Sequence, residues 1–193
     1  MNNAMNIKQI KDAIDALKNG KVILYPTDTV WGLGCDATNA DAIDKIFRIK
    51  GRPENKGLII LVNSTKMICR YVREAPEVAL QVAEISDKPL TIIYPDAINL
   101  PQNVVSEDGS IGIRVVRHPL CEALISGLGK PIVSTSANRS GERTPALFKD
   151  ISPKIIGKAD WVAEEALEEE STGKASSIIS IGKDGAVKII RNY

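Results

Sequence analysis

The sequence predicts a mixed α/β fold in which helices pack on one sheet, and three observations carry that expectation. Apolar runs of strand length stand at residues 22–25, 58–62, 90–94 and 111–116. Segments of helical periodicity separate the first three, and a polar loop through Gly109 separates the last two. Two further apolar runs, 176–181 and 186–190, flank Lys183-Asp184-Gly185, a strong hairpin signal. At 193 residues the chain has the length of one domain, about 100–200 residues, so 1–193 is read as a single unit.

Taken in order, Ile7, Ile10, Ile14 and Leu17 recur at helical spacing; Asn6 can cap, with Gln9 three residues on, and Gly20 supplies the stop, which predicts a helix over 7–18. Pro26 ends the pairing of the strand at 22–25, because it lacks an amide hydrogen. Residues 27–35 then read as a loop at a strand's carboxyl end, the usual ligand position in α/β folds. Asn39 can cap a helix whose Ile43, Ile46, Phe47 and Ile49 face a core until Gly51 stops it. After the buried strand at 58–62, Ser64 can cap a helix over 67–72, and Val78, Val82 and Ile85 mark another behind Pro76. A short helix over 120–125, broken by Gly127 and Gly129, leads into a strand that begins at 131–133 and runs into the polar stretch 134–141. Thr144-Pro145 and Ser152-Pro153 are cap-and-first-turn pairs, which predict two short helices. Residues 161–163 read as a strand, and the glutamates that follow as a solvated run with no site role.

Composition removes several classes of function. The longest clean apolar run, 58–62, is far short of the about 20 residues of a membrane helix. No basic segment followed by an apolar one opens the chain, so no secretory leader is read and the cytoplasm is the default compartment. Cys35, Cys69 and Cys121 are odd in number and widely spaced, which suggests neither disulfides nor a zinc site; all three are read as buried thiols. His118 lacks a second histidine nearby and reads as a plain loop or surface residue. No residue is assigned to a metal.

The net charge is +1, but it is unevenly spread. Removing the glutamate-rich run, Glu164, Glu165, Glu168, Glu169 and Glu170, leaves 25 basic against 19 acidic residues (24 minus 5). Lys45, Arg48, Lys50, Arg52 and Lys56 concentrate the excess, a footprint for phosphates or a nucleic-acid backbone. Lys50 and Arg52 flank a helix end, where cations also simply answer the helix dipole. Lys56, close to the next strand and to the hydroxyls of Thr27 and Thr29, is not explained by helix termination. Arg114, inside an apolar run, is either on a solvated face or recruited to a carboxylate. Two nucleotide fingerprints are absent. Gly32, Gly34 and Ala37 match G-x-G-x-x-A but start seven residues beyond Tyr25, too far from the strand. Gly127-Leu128-Gly129-Lys130-Pro131 lacks the hydroxyl that a Walker loop carries after its lysine.

Five segments, Y-P-T-D-T-V-W-G-L-G, K-G-R-P, G-I-R-V-V, S-T-S-A-N-R-S-G and A-S-S-I-I-S, follow one another in the order and spacing of the YrdC-like family. The resemblance spans residues 22–191. Lys50 and Arg52 meet its K-x-R signature, and Ser136 and Asn138 its S-x-N. It implies a twisted α/β fold with a concave, basic surface, and conversion of L-threonine, bicarbonate and ATP, with Mg²⁺, into L-threonylcarbamoyladenylate and pyrophosphate. Separate threonylcarbamoyl-transferase proteins then modify tRNA, and binding of tRNA or double-stranded RNA is also implied. By matching motif, Thr29, Arg114, Ser134 and Ser176 hold threonine. Arg52, Lys56, Ser110, Ser136, Asn138, Thr144 and Arg191 hold ATP, and Lys50 with Arg52 stabilises charge at the phosphates. Some positions depart from the pattern. Ala175 replaces a proline or acidic residue, Ser177 a threonine, and Leu61 stands where longer relatives place a histidine near threonine. The chain reads as the short, single-domain form. An RNA-binding module without catalysis is the competing reading; with 4% aromatic residues its contacts would be phosphate-driven rather than stacked.

Overall fold

The computed structural model describes residues 6–51 and 58–192. Helix α1 (Ile7–Lys18) is capped by Asn6, whose side chain accepts from the Lys8 amide at 3.0 Å; the reciprocal Gln9 contact of a capping box is not formed. Strand β1 (Ile23–Tyr25) is fully buried. It is followed by a strand that the sequence reading missed, β2 (Gly32–Gly34), inside the expected loop. Helix α2 (Ala40–Lys50) has Asn39 accepting from the Ala42 amide, and Gly51 closes it with a left-handed φ of 61°. Strand β3 (Ile59–Val62) leads to α3 (Thr65–Ile68), shorter and earlier than expected and without a side-chain cap from Ser64. Helix α4 (Glu77–Ile85), β4 (Leu90–Tyr94) and β5 (Ile111–Val115) come next.

Helix α5 (Pro119–Leu128) runs through Gly127 and ends only at Gly129, so the first of the two expected breaks is a packing position instead. A Cβ at Gly127 would sit 2.2 Å from Cδ1 of Ile14 on α1, which explains why a small residue stands where the two helices meet. Strand β6 (Ile132–Ser136) carries the polar S-T-S as regular strand. The helix expected after Thr144-Pro145 is only a 3₁₀ turn, Phe148–Asp150, whereas Ser152 caps α6 (Pro153–Ile156) as expected. Strand β7 (Trp161–Val162), a 3₁₀ segment Glu165–Glu170, and the hairpin β8 (Ser177–Ile181) and β9 (Val187–Arg191) complete the chain.

The nine strands form one sheet in the order β7-β1-β2-β6-β3-β5-β4-β8-β9. Its register decides where the chemistry lies, because paired residues and residues two apart share a face. Leu61, Arg114, Thr91, Ile178 and Arg191 stand side by side across five strands. One step along, Ser134 pairs with Ile59, which pairs with Gly112. Ser136 pairs with Gly32. A register shift in the last pairing sets Arg191, rather than Ile190, opposite Ile178 and so brings it to the same face as Arg114. The other face is covered by an apolar core that includes Leu17, Ile43, Ile46, Val62, Leu120 and Leu124. Among the described residues no helix is long and apolar enough to cross a membrane.

The G-L-G strand survives because its glycines admit close neighbours. A Cβ on Gly34 would lie 2.5 Å from the Val133 carbonyl oxygen and 2.6 Å from the Tyr25 ring. Gly34→Ala is therefore expected to destabilise the fold by about 1–3 kcal/mol, the usual cost of overpacking. Gly127→Ala costs less, since the terminal methyl of Ile14 can rotate away and alanine is the better helix former by about 1 kcal/mol. Urea unfolding of the two variants beside the wild type checks the order.

Candidate functional site

The polar residues of that sheet face meet above β6, β3, β5 and β4, where they floor a cavity of about 210 Å³. Arg114, Thr91, Ser134 and Ser136 rise from the strands, while Thr27, Thr29 and Trp31 descend from the loop between β1 and β2. Thr144, Ser176 and Arg191 close the remaining sides. The volume lies below the about 300–1,000 Å³ of pockets that enclose drug-sized ligands. The cavity is of a size to take an amino acid.

Hydrogen bonds fix which groups the cavity presents. Thr27 has one hydroxyl proton and donates it to the Val30 carbonyl at 2.9 Å. In its 2.8 Å contact with Thr29, the Thr29 hydroxyl must therefore donate, which leaves the Thr29 oxygen as an acceptor toward the cavity. Thr91 and Ser176 share a second hydroxyl contact of 2.8 Å, and both Nε and Nη2 of Arg191 donate to the Ser176 carbonyl, at 3.1 and 2.8 Å.

Two cations are buried beside these hydroxyls. Arg114 is 3% exposed and forms an ion pair with Asp28 at 3.0 Å, with a longer contact of 3.4 Å to the Thr27 hydroxyl. Of the two readings left open for this arginine, recruitment to a carboxylate is the one found. Lys50 is 3% exposed as well, and its ammonium donates to the backbone carbonyls of Ser136 and Asn138 at 2.6 and 2.7 Å. It lies behind the end of β6 rather than in the cavity wall, tying the S-T-S-A-N turn to the C-terminus of α2.

The loop that carries Thr27, Asp28 and Thr29 is clasped from outside by residues 168–173. The Ser171 hydroxyl donates to the Thr27 carbonyl at 2.6 Å, and the amides of Thr172 and Gly173 donate to the carbonyls of Asp28 and Thr29. Glu168 accepts from the Trp31 indole and from the Phe148 amide, both at 2.7 Å, and the two aromatic rings pack with centroids 4.8 Å apart. The glutamate run is thus not merely solvated: one of its members ties Trp31, in the cavity wall, to the 3₁₀ turn at Phe148. Nothing in the sequence marks Glu168 among its acidic neighbours, because its partners are more than a hundred residues away or on a turn.

Of the residues singled out for threonine, Thr29, Arg114, Ser134 and Ser176 all line this cavity, and of those for ATP, Ser136, Thr144 and Arg191 do. Asn138 is buried beside the site, its amide nitrogen donating to the carbonyls of Arg139 and Glu142. Ser110 stands just before β5, outside the cavity, its amide donating to Asp108. Arg52 and Lys56 lie outside the described residues. The three described members of the basic cluster read from the sequence, Lys45, Arg48 and Lys50, do not share one surface. Lys45 and Arg48 are exposed and, with Lys158, line a separate groove, while Lys50 is buried. Thr91 was overlooked, although its place on the same face as Arg114 follows from strand alternation once the register is known. Cys35 and Cys121 are buried, but Cys69 is exposed, contrary to expectation.

A family model described as "Telomere recombination", covering Sua5, YciO and YrdC, matches residues 15–192. A protein of Halorhodospira halophila named threonylcarbamoyl-AMP synthase is 38% identical over 136 residues, 70% of this chain and 71% of that protein. One of the same name from Pseudoalteromonas translucida is 37% identical over 161 residues, covering 82% of this chain and 86% of the relative. Among solved structures, P. abyssi Sua5 complexed with L-threonine superposes with a TM-score of 0.81 at 29% identity over 89% of this chain; the match spans half, 50%, of that longer chain.

His118 corrects the sequence reading in a way that bears on stability. It is 2% exposed at the start of α5, and its Nε2 donates to the Leu167 carbonyl at 3.2 Å, bracing the segment that clasps the loop. Nδ1 is buried and has no partner among the described residues, so a proton there would be buried unsatisfied. Burial pushes the imidazole below its ordinary value of 6.5, against the opposing pull of the Leu167 carbonyl and nearby carboxylates. A depressed folded-state value means that the unfolded chain binds the proton more readily. The contribution of His118 is therefore complete above about pH 6.5 and is lost as the pH falls below it. Urea unfolding at about pH 7.5 and pH 5.5 is expected to show a larger acid loss for the wild type than for His118→Gln.

Proposed function

The chain belongs to the Sua5/YciO/YrdC family, and from that premise we propose that it forms L-threonylcarbamoyladenylate and pyrophosphate from L-threonine, bicarbonate and MgATP. The adenylate would serve tRNA modification through separate threonylcarbamoyl-transferase proteins. One observation carries the reading: a buried guanidinium, the acceptor oxygen of Thr29 and the hydroxyls of Ser134 and Ser176 share a cavity sized for an amino acid, with Ser136, Thr144 and Arg191 beside it. The names of the two bacterial relatives, and of the Sua5 structure with L-threonine, agree with it.

In this reading Arg114 holds the substrate carboxylate by charge-assisted hydrogen bonds. Thr29 accepts from the amine and orients it. The amine takes up bicarbonate with loss of water, and an oxygen of the resulting carbamate attacks the α-phosphorus in line. The bond from that phosphorus to the β-phosphate bridging oxygen breaks, and pyrophosphate leaves. Ser136, Thr144 and Arg191 face the phosphates, and Asn138, Ser110, Arg52 and Lys56 complete the set proposed for ATP, the last two lying outside the described residues. Lys50 fixes the carbonyls of Ser136 and Asn138 and so the curvature of the wall on which the phosphates rest. Magnesium enters with the nucleotide as MgATP, and orientation and fixed charge carry the rate.

The exposed groove of about 310 Å³ lined by Lys45, Arg48 and Lys158 supports a second reading, contact with the phosphates of tRNA or double-stranded RNA. Its separation from the cavity lets the two be tested apart. Threonine-dependent pyrophosphate release is the assay for the first. Arg114→Ala is expected to lower kcat/KM for threonine at least about 100-fold, within the range for losing one partner of a buried charged contact. Arg191→Ala is expected to raise KM for ATP while leaving KM for threonine within about threefold. Pyrophosphate release that ignores threonine, or duplex RNA binding with no turnover, would replace the enzyme reading with the second one.

A further inference from the structure

We propose that Asp28 is a positioning residue: it aims the Arg114 guanidinium and thereby confers selectivity for an amino acid with a free carboxylate. The inference rests on the synthase reading for the identity of the ligand, and on geometry for everything else. Asp28 is 7% exposed and does not line the threonine cavity. It borders a second cavity of about 190 Å³, together with Lys88, Arg117, Glu170 and Thr172. Its Oδ1 lies 3.0 Å from Nη2 of Arg114, whose side chain lines the first cavity.

A guanidinium has a fixed fork of donors, so holding one corner orients the others. Nη2 lies 3.0 Å from Oδ1 of Asp28, an ion pair held by charge rather than by a hydrogen bond, since Oδ1 has no hydrogen-bond partner among the described residues, and Nη2 makes a longer contact of 3.4 Å to the Thr27 hydroxyl. The backbone of Asp28 is held, because the Thr172 amide donates to its carbonyl and the carbonyls of the flanking Thr27 and Thr29 are clasped in the same way by Ser171 and Gly173. From that fixed backbone the carboxylate draws Nη2 of Arg114 toward the loop, and the arginine side chain lines the cavity. Asp28 touches neither the amine nor the phosphates in this arrangement, so its removal should be felt at one end of one substrate.

The test compares wild type, Asp28→Asn and Asp28→Ala with L-threonine and with L-threonine amide, which lacks the carboxylate charge. Calorimetric affinities are measured beside threonine-dependent pyrophosphate release. Both variants are expected to weaken threonine binding, by about 10- to 100-fold for Asp28→Ala and less for Asp28→Asn, which keeps an oxygen acceptor in place. KM for ATP is expected to stay within about threefold, and the preference for threonine over its amide to shrink in step with the lost affinity. A purely structural role would move both substrates and leave that preference intact. Unchanged or tighter threonine binding in Asp28→Asn, or an undiminished preference in a folded Asp28→Ala, overturns the proposal. Absence of threonine-dependent pyrophosphate release in the wild type instead removes the synthase reading, so the two failures are distinguishable. If Asp28→Ala does not fold, the near-isosteric Asp28→Asn decides alone.

Discussion

A guanidinium sits in the middle of a nine-stranded sheet, nearly closed off from water, and much of the surrounding structure exists because a charge cannot be left there alone. Burying an isolated ion costs several kcal/mol even after relaxation, a large share of the 5–15 kcal/mol by which folded domains are stable. Arg114 therefore needs a counter-ion, and among the described residues the short loop after β1 delivers it. That loop must descend onto the sheet at Asp28, which brings Thr27 and Thr29 down with it. The loop's own carbonyls then require donors, and the segment 171–173 supplies them. One charge in β5 thus accounts for the fixed position of a loop and of the strap that crosses it.

The sheet contributes through its alternation. Because side chains repeat every second residue, placing Arg114 on one face commits Thr91, Ile178 and Arg191 to the same row, and Ile59 with Ser134 to the next. The irregularity opposite Ile178 is the one place where the row would otherwise fail, since simple pairing would seat Ile190 there. Glycine acts in the opposite sense. At Gly34 the missing side chain lets β2 approach β6 until a Cβ would collide, and at Gly32 a Cβ would stand 3.1 Å from the Ser134 hydroxyl, which keeps Ser134 and Ser136 close to the loop that descends over them.

What the sequence made legible follows from this division. The apolar strands, the two asparagine-capped helices and the closing hairpin are encoded locally, in periodicity and turn chemistry, and their positions could be read without the fold. Strand β2 could not, because G-L-G offers no alternation to detect and pairs only through its neighbours. The cavity residues Thr29, Arg114, Ser134, Ser136 and Ser176 were reached through motif order, which stands in for spatial proximity. Glu168 and His118 were misread because nothing local distinguishes a glutamate that caps an indole from one in water, or a histidine beneath a strap from one on a loop. Lys45, Arg48 and Lys50 are close in sequence, yet a helix turns the first two to solvent and the last inward.

The same geometry explains how a cavity with few groups can be selective. Since Asp28 already neutralises Arg114, a carboxylate entering the cavity gains little from net charge and much from direction. The conformational entropy of fixing the guanidinium is spent when the chain folds, not when the ligand arrives. At the other end of the amino acid, the hydroxyl order set by the Val30 carbonyl leaves Thr29 as an acceptor, which favours a group that brings its own hydrogen. In the proposed reading, a guanidinium and an acceptor oxygen that meet at the Thr27 hydroxyl match the carboxylate and the amine of one amino acid. Selectivity then comes from polarity laid down by the backbone rather than from shape alone.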